Sequence, residues 1–149
     1  MQTVDIEKLP ETKRKKLFSG LSDLINEVLK KEFDFRDIKT YEDAVAAEPV
    51  SEDDRIFDTD QNWVVALKKL RHITKVINGK NVVFNWSDRN QPKWRPWFDL
   101  SSGFGFGDSD CDFSHSYSAV GSRLCFETEE KSDYAAKQFI DLYKIATVN

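Results

Sequence analysis

The sequence predicts a single α+β domain in which N-terminal helices precede a small antiparallel sheet and a C-terminal helix packs on one sheet face. Apolar residues recur at the three-and-four spacing of helices in the first and last parts of the 149-residue chain. Between them, short runs rich in aromatic and β-branched residues are typical of antiparallel strands. The apolar fraction of 40% and the aromatic fraction of 13% are those of a folded chain. We expect helices over about 1–79 and the sheet with its closing helix over about 80–149.

Two helices are predicted in the first third of the chain. Pro10 suits a first helical turn, and the apolar residues after it have helical spacing, which indicates a helix over about 10–32. Thr40 followed by Asp43 has the form of a capping box, in which each side chain accepts a hydrogen bond from the other residue's backbone N–H. We therefore expect a shorter helix over about 40–47.

A third helix is predicted in the middle of the chain. Either Thr59 or Asp60 can cap its N-terminus. The pair Asn78-Gly79 ends it, because glycine readily adopts the left-handed conformation found at helix C-termini. The apolar stripe of this helix consists of Trp63, Leu67, Leu70, Ile73 or Thr74, and Ile77.

Three or more strands are predicted after this helix. Val82–Trp86 and Trp94–Leu100 have strand composition, although Pro96 confines the latter to an edge or to the beginning of its strand. Ser118–Glu127 alternates between two faces, which indicates a half-buried strand. Thr128 caps the closing helix, which we expect to cover one face of the antiparallel sheet. The other face is then a candidate working surface.

Charge is distributed unevenly along the chain, whose formal net charge is −4. Residues 34–62 carry three basic and ten acidic groups, whereas residues 63–98 carry eight basic groups and one acid. The basic segment also contains all four tryptophans: Trp63, Trp86, Trp94 and Trp97. Cations beside aromatic rings are typical of grooves that bind single-stranded nucleic acid. The candidate phosphate contacts are Lys80, Arg89, Lys93 and Arg95. Alternatively, the acidic block neutralises the basic segment in the fold.

The stretch Ser101–Phe113, SSGFGFGDSDCDF, contains partial matches to two functional motifs. Its first half imitates the RNA-binding strand of an RRM domain, but that strand has a basic residue where Ser102 stands, and its domain does not begin with helices. We therefore expect Phe104 and Phe106 to cover the core or to form a contact loop.

The second half of this stretch carries three acids at alternate positions. Asp108, Asp110 and Asp112 imitate the start of an EF-hand, but Phe113 and Ala119 occupy the positions of its glycine and glutamate. Alternate carboxylates can still hold one hard cation, so a metal-dependent hydrolase is a further alternative. The cysteines and histidines have no zinc-finger spacing. We expect no cofactor.

Several classes of protein are disfavoured by the sequence. No apolar run approaches the roughly 20 residues of a membrane span, and the N-terminus is charged where a signal peptide is apolar. Two cysteines in such a chain are expected to be reduced, which predicts a cytoplasmic protein. The sequence contains no phosphate-binding glycine loop, nucleophile elbow or HExxH helix, which favours a non-enzymatic role.

Three stretches carry a resemblance to a known family: PKWRPWF at 92–98, VGSRLCF at 120–126 and YAAKQFIDLY at 134–143. In them the chain resembles a family of small uncharacterised proteins of Bacteroides-type gut bacteria and their phages and prophages. The resemblance covers most of residues 92–144 and brings no known activity. It implies a phage or mobile-element origin, with a location in the host cytoplasm or in the virion.

The function that we expect from these observations is that of an interaction module, which binds a protein partner or self-associates. Trp, Tyr and Arg dominate the energetics of protein interfaces, and residues 84–117 carry more aromatic surface than one thin sheet would hide. The predicted surface is an aromatic sheet edge together with the Gly-Phe loop. It consists of Trp86, Trp94, Arg95, Trp97, Phe104, Phe106 and Arg123.

Overall fold

The computed structural model describes most of the chain. The described residues are 10–28, 33–79, 82–88, 90–101, 103–111 and 124–148. They form five α-helices and a two-stranded antiparallel sheet, which confirms the α+β class. The chain divides into two compact units, Met1–Phe33 and Asp34–Asn149. The single-domain organisation stays a prediction.

The first unit contains helix α1, Glu11–Val28. The Pro10 carbonyl accepts hydrogen bonds from the N–H groups of Lys13 and Arg14 at 2.9 and 3.0 Å, so proline stands at the start of the first turn. The prediction of a helix from about residue 10 is confirmed. Its predicted end, over 29–32, lies outside the described residues.

The second unit opens with a short 3₁₀ turn, Phe35–Asp37, and helix α2, Tyr41–Ala47. The predicted capping box is present. The Asp43 N–H donates to Thr40 Oγ1 at 3.1 Å, and the Thr40 N–H donates to Asp43 Oδ2 at 2.8 Å. A second 3₁₀ turn, Glu52–Asp54, follows in the acidic loop.

Helix α3 spans Asn62–Asn78, and its predicted N-cap is wrong. The N-cap is Gln61 rather than Thr59 or Asp60. The Asp60 carboxylate instead accepts a hydrogen bond from Lys68 Nζ at 2.7 Å. The Asp60 side chain, which has the chemistry of an N-cap, is therefore engaged by a lysine in the second turn of the helix.

The C-terminus of α3 is closed by glycine and tied to the chain that precedes the next helix. Gly79 has a φ of 91° and is the C-cap, as predicted. The Asn78 side chain donates to the Cys125 carbonyl at 2.8 Å and accepts from the Glu127 N–H at 3.1 Å. The Asn78 carbonyl accepts from Lys131 Nζ at 3.1 Å. One asparagine thus joins two segments that are distant in sequence.

The closing helix is divided in two. Thr128 is the predicted N-cap, and its hydroxyl accepts the Lys131 N–H at 3.3 Å. Helix α4 spans Glu129–Gln138 and helix α5 spans Ile140–Val148, with the break at Phe139. The prediction of one continuous helix from Thr128 is wrong in this respect.

The sheet consists of strands β1, Trp94–Asp99, and β2, Gly105–Cys111, which pair antiparallel. On its other edge β1 makes one isolated bridge, in which Trp94 and Phe126 exchange hydrogen bonds of 2.9 and 2.8 Å. The prediction of three or more strands is not confirmed. Over the described residues, the sheet has two.

Two further predicted strands have different outcomes. Val82–Trp86 lies outside the strands, and its last residue is in a turn. Ser118–Glu127 is described only from Leu124, and Phe126 is its paired residue. The apolar pattern of 82–86 reports burial on one side, but strand pairing also requires a partner, which this segment lacks among the described residues.

The core of the second unit lies among α3, α4, α5 and the inner face of the sheet. Ser109 Oγ and Ser132 Oγ are 2.9 Å apart in a buried hydrogen bond that joins β2 to α4. Helix α4 therefore covers one sheet face, as predicted for the closing helix. The buried cluster comprises Ile38, Ala44, Leu70, Ile73, Val76, Ile77, Phe126, Ala135, Phe139 and Tyr143.

Candidate interaction surface

A β-bulge separates the side chains of the hairpin into two chemically different faces. Residues paired across an antiparallel ladder share a face. Trp97 is paired with Asp108, but the next residue, Phe98, is paired with Phe106, so Gly107 is the extra residue in β2. In a regular strand Phe106 and Asp108 would lie on the same face. The bulge places them on opposite faces.

The inner face carries the rings of the Gly-Phe stretch. Phe98 stacks on Phe104 with ring centroids 4.7 Å apart, and it meets Phe106 edge-on at 6.3 Å. Phe98 also lies 4.9 Å from the Tyr143 ring of α5. All three phenylalanines are half-buried. Phe104 and Phe106 therefore pack at the margin of the core, and Phe106 belongs to β2 rather than to a loop.

The outer face carries one exposed indole among carboxylates. The Trp97 side chain is 62% exposed. Asp108 is paired directly opposite it, and Asp99 lies two residues further along β1. Asp110 is paired opposite Arg95. The three aspartates are exposed. We call these five residues the Trp97 face.

The Trp97 face is net negative, since it contains three carboxylates and one guanidinium. Ser101 stabilises the Asp99 carboxylate, because its hydroxyl and its N–H donate to Asp99 Oδ1 at 2.6 and 2.8 Å. These two hydrogen bonds, that of the hydroxyl first, lower the pKa of the Asp99 carboxyl. The carboxylate form is therefore favoured well below neutral pH.

The other predicted surface residues are not part of this face. Trp94 is half-buried and packs against the core cluster. Trp86 is 41% exposed, but it lies in the turn after residue 85 and lines a separate cleft. Arg123 lies outside the described residues. Among the described residues of the predicted seven, Trp97 and Arg95 share the Trp97 face, whereas Phe104 and Phe106 both pack against Phe98 on the inner face.

The candidate nucleic-acid contacts are also dispersed. Lys80 and Arg89 lie outside the described residues. Lys93 is fully buried, and its Nζ donates to the carbonyls of Asp88 and Gln91 at 3.2 and 2.9 Å. A buried ammonium held by backbone carbonyls is not presented to a phosphate.

Three cations of the basic segment form ion pairs with the acidic block that precedes it. Lys68 Nζ lies 2.7 Å from the Asp60 carboxylate. Arg71 Nε lies 3.1 Å from Asp54, and Lys75 forms an ion pair with Glu48. The Lys68 hydrogen bond is the largest cause of the lowered pKa of the Asp60 carboxyl. These pairs support the second interpretation of the charge pattern, in which the two blocks meet in the fold.

The three candidate metal ligands do not form a described site. Asp108 and Asp110 lie on the Trp97 face, and Asp112 is outside the described residues. Among the described histidine, cysteine and acidic residues, no group of three is placed to hold a metal ion. Neither cysteine is in a disulfide bond, Cys125 being buried and Cys111 half-buried.

The position of Asp99 on this surface can be predicted from the sequence. In the predicted strand Trp94–Leu100, alternation places Asp99 on the face of Arg95 and Trp97. The placement of Asp108 and Asp110 beside Trp97 cannot be predicted from the sequence, because it depends on the pairing register and on the bulge at Gly107. Period-two spacing alone groups these aspartates with Phe106.

No protein-family profile, curated protein or solved structure matches the chain. The phage or mobile-element origin implied by the resemblance stays a prediction. Within the part of the chain that the structure describes, no helix combines the length and the apolar character needed to cross a bilayer.

Proposed function

We propose that the protein is a non-enzymatic interaction module that binds a basic protein partner through the Trp97 face. The observation that supports this proposal is a largely exposed tryptophan on a paired strand, flanked by exposed carboxylates. Tryptophan is enriched among the residues that dominate binding energy, since its large ring buries much apolar area with few rotatable bonds. Strand pairing fixes the backbone from which the ring projects.

The sign of the charge selects among possible partners. Asp99, Asp108 and Asp110 attract a cationic surface and repel a phosphate backbone. The alternative of single-stranded nucleic-acid binding is therefore less well supported than binding of a basic protein. Self-association across a two-fold axis would place this acidic face against its own copy, which the like charges disfavour. The partner that fits this face best is a basic segment with an apolar side chain that packs against the Trp97 indole.

The test compares a lysine-leucine alternating peptide with a glutamate-leucine peptide of equal length, both fluorescein-labelled, by fluorescence anisotropy. We expect the basic peptide to bind and Trp97→Ala to weaken that binding by about 30-fold, the effect of losing a typical hot-spot residue. Trp63→Ala is the matched control, because Trp63 is 44% exposed on α3 and donates its indole N–H to Gln61. This control should bind as the wild type does.

The charge contribution is tested separately with the double variant Asp108→Asn/Asp110→Asn. We expect slower association and a weaker dependence on salt, since neutralising rim charges mainly reduces electrostatic steering. Equal affinity for the two peptides, or an equal loss in the Trp63 and Trp97 variants, would contradict the proposal. Preferential binding of an oligothymidine would favour the nucleic-acid alternative. A dimer in light scattering that Trp97→Ala dissociates would favour self-association.

A further inference from the structure

A cleft of about 630 Å³ lies beside the C-terminal half of α3. One wall consists of the polar residues Arg71, Thr74, Lys75 and Asn78, whose spacing places them on one side of the helix. The segment 82–86 supplies apolar and aromatic lining, chiefly Val82, Phe84 and Trp86. The volume is within the range of pockets that bind small molecules, roughly 300–1,000 Å³. None of the residues of the Trp97 face lines it.

The described lining carries more positive than negative charge. It contains two cations, Arg71 and Lys75, and one carboxylate, Glu48. Lys75 is paired with Glu48. Arg71 forms an ion pair with Asp54, whose carboxylate oxygen lies 3.1 Å from Nε. Because a guanidinium has five N–H groups, an ion pair at Nε does not use all the donors that can contact an anion.

The aromatic wall is held in position although it has no regular secondary structure. The Gln91 side chain donates to the Val83 carbonyl at 2.9 Å and accepts the Asn85 N–H at 2.6 Å. Lys93 Nζ lies 5.5 Å from the centre of the Trp86 ring while it donates to the Gln91 carbonyl. Trp86 and Phe84 are 6.2 Å apart. A wall fixed by these contacts loses little freedom when a ligand binds.

We infer that this cleft binds a small planar aromatic anion. The aromatic body packs on Phe84 and Trp86, and the anionic group is held by Arg71 with support from Lys75. A carboxylate and a phosphate share the charge and geometry that a guanidinium recognises, so either can be the anionic group. This site is independent of the Trp97 face and does not rest on its proposed function.

The test follows the indole N–H resonances of the four tryptophans by ¹⁵N-edited NMR, with Trp86→Phe used to assign the Trp86 signal. The probes are indole-3-acetate for an aromatic carboxylate and adenosine monophosphate for an aromatic phosphate. We expect at least one of them to shift the Trp86 resonance and to leave the Trp97 resonance unchanged. The affinity per atom that is usual for small ligands predicts a Kd of about 1 mM for indole-3-acetate.

The role of the anionic group is tested on the ligand, which avoids exposing the buried Asp54 carboxylate through loss of Arg71. Indole-3-acetamide, which lacks the charge, should bind about tenfold more weakly than indole-3-acetate. Trp86→Ala should weaken either anion about tenfold, whereas Trp97→Ala should not change its binding. The inference is overturned if neither anion shifts the Trp86 resonance at about ten times the expected Kd. Equal affinity of the acid and the amide would also overturn it.

Discussion

Replacement of Asn78 by alanine tests the bridge between α3 and the segment before α4. The side-chain amide is the partner of two backbone groups, the Cys125 carbonyl at 2.8 Å and the Glu127 N–H at 3.1 Å. The first of these hydrogen bonds is buried and the second is partly buried. Asn78→Ala removes both partners at once and supplies no substitute.

The expected loss follows from the burial of the two groups. A buried polar group left without a partner costs about 1–3 kcal/mol, and a partly exposed one costs about 1 kcal/mol because water replaces part of the bond. The higher helix propensity of alanine offsets roughly 0.5 kcal/mol. We therefore expect Asn78→Ala to lower the free energy of unfolding by about 2–3 kcal/mol. For a chain of this length that corresponds to a decrease in Tm of roughly 6–12 °C.

The assay is urea unfolding followed by circular dichroism, with the midpoint and the slope fitted separately. The midpoint should fall by about 1–2 M with the slope unchanged. Asn62→Ala is the matched control, because Asn62 is exposed in the first turn of the same helix. It should change the free energy of unfolding by less than about 0.5 kcal/mol. Equal effects of the two substitutions would refute the bridging role of Asn78.

Three further predictions concern backbone conformation and pH. Gly79→Ala should destabilise the protein by about 1 kcal/mol, because Gly79 has a φ of 91°. Gly20→Ala, inside α1, should stabilise it by about 0.5–1 kcal/mol. Thermal melts of the two variants that shift in the same direction would contradict this pair of predictions. Asp60 has a lowered pKa, so its contribution is present above the unfolded pKa of about 4 and is lost as pH falls through the folded value. The free energy of unfolding, measured by circular dichroism at decreasing pH, should therefore fall less for Asp60→Asn than for the wild type. Burial is the main cause of the raised pKa of Tyr143, so stability should fall as pH rises above about 10. Because burial also raises the pKa of Tyr41 and Tyr134, Tyr143→Phe should reduce this alkaline loss of stability rather than abolish it. An unchanged alkaline profile would exclude a contribution from Tyr143.

The features predicted correctly from the sequence depend on residues close together in the chain. The capping box of Thr40 and Asp43, the cap at Thr128 and the terminating Gly79 each join groups at most four residues apart. Their geometry follows from backbone stereochemistry, which a short window of sequence contains. The class and order of the main elements follow from the same kind of information.

The features that were missed depend on partners elsewhere in the chain. Val82–Trp86 has the composition of a strand, but it is held by the side chain of Gln91 rather than by a ladder. Lys93 belongs by composition to an exposed basic cluster, yet the folded loop surrounds it with carbonyls. Likewise, alternation in β1 separates Trp97 from Phe98, but only the register of β2 identifies the carboxylates beside Trp97.

The bulge at Gly107 determines how deletions in β2 would affect the pairing of the two strands. On either side of Gly107 the ladder is regular, so deleting this glycine would join the two stretches and leave all six pairs facing as they do now. Deleting Ser109 instead would turn either Asp108 or Asp110 toward α4, where Ser109 now bonds Ser132. A hairpin that lacks the residue at Gly107 would therefore keep its acidic outer face. A hairpin that lacks the residue at Ser109 would bring a carboxylate against the core.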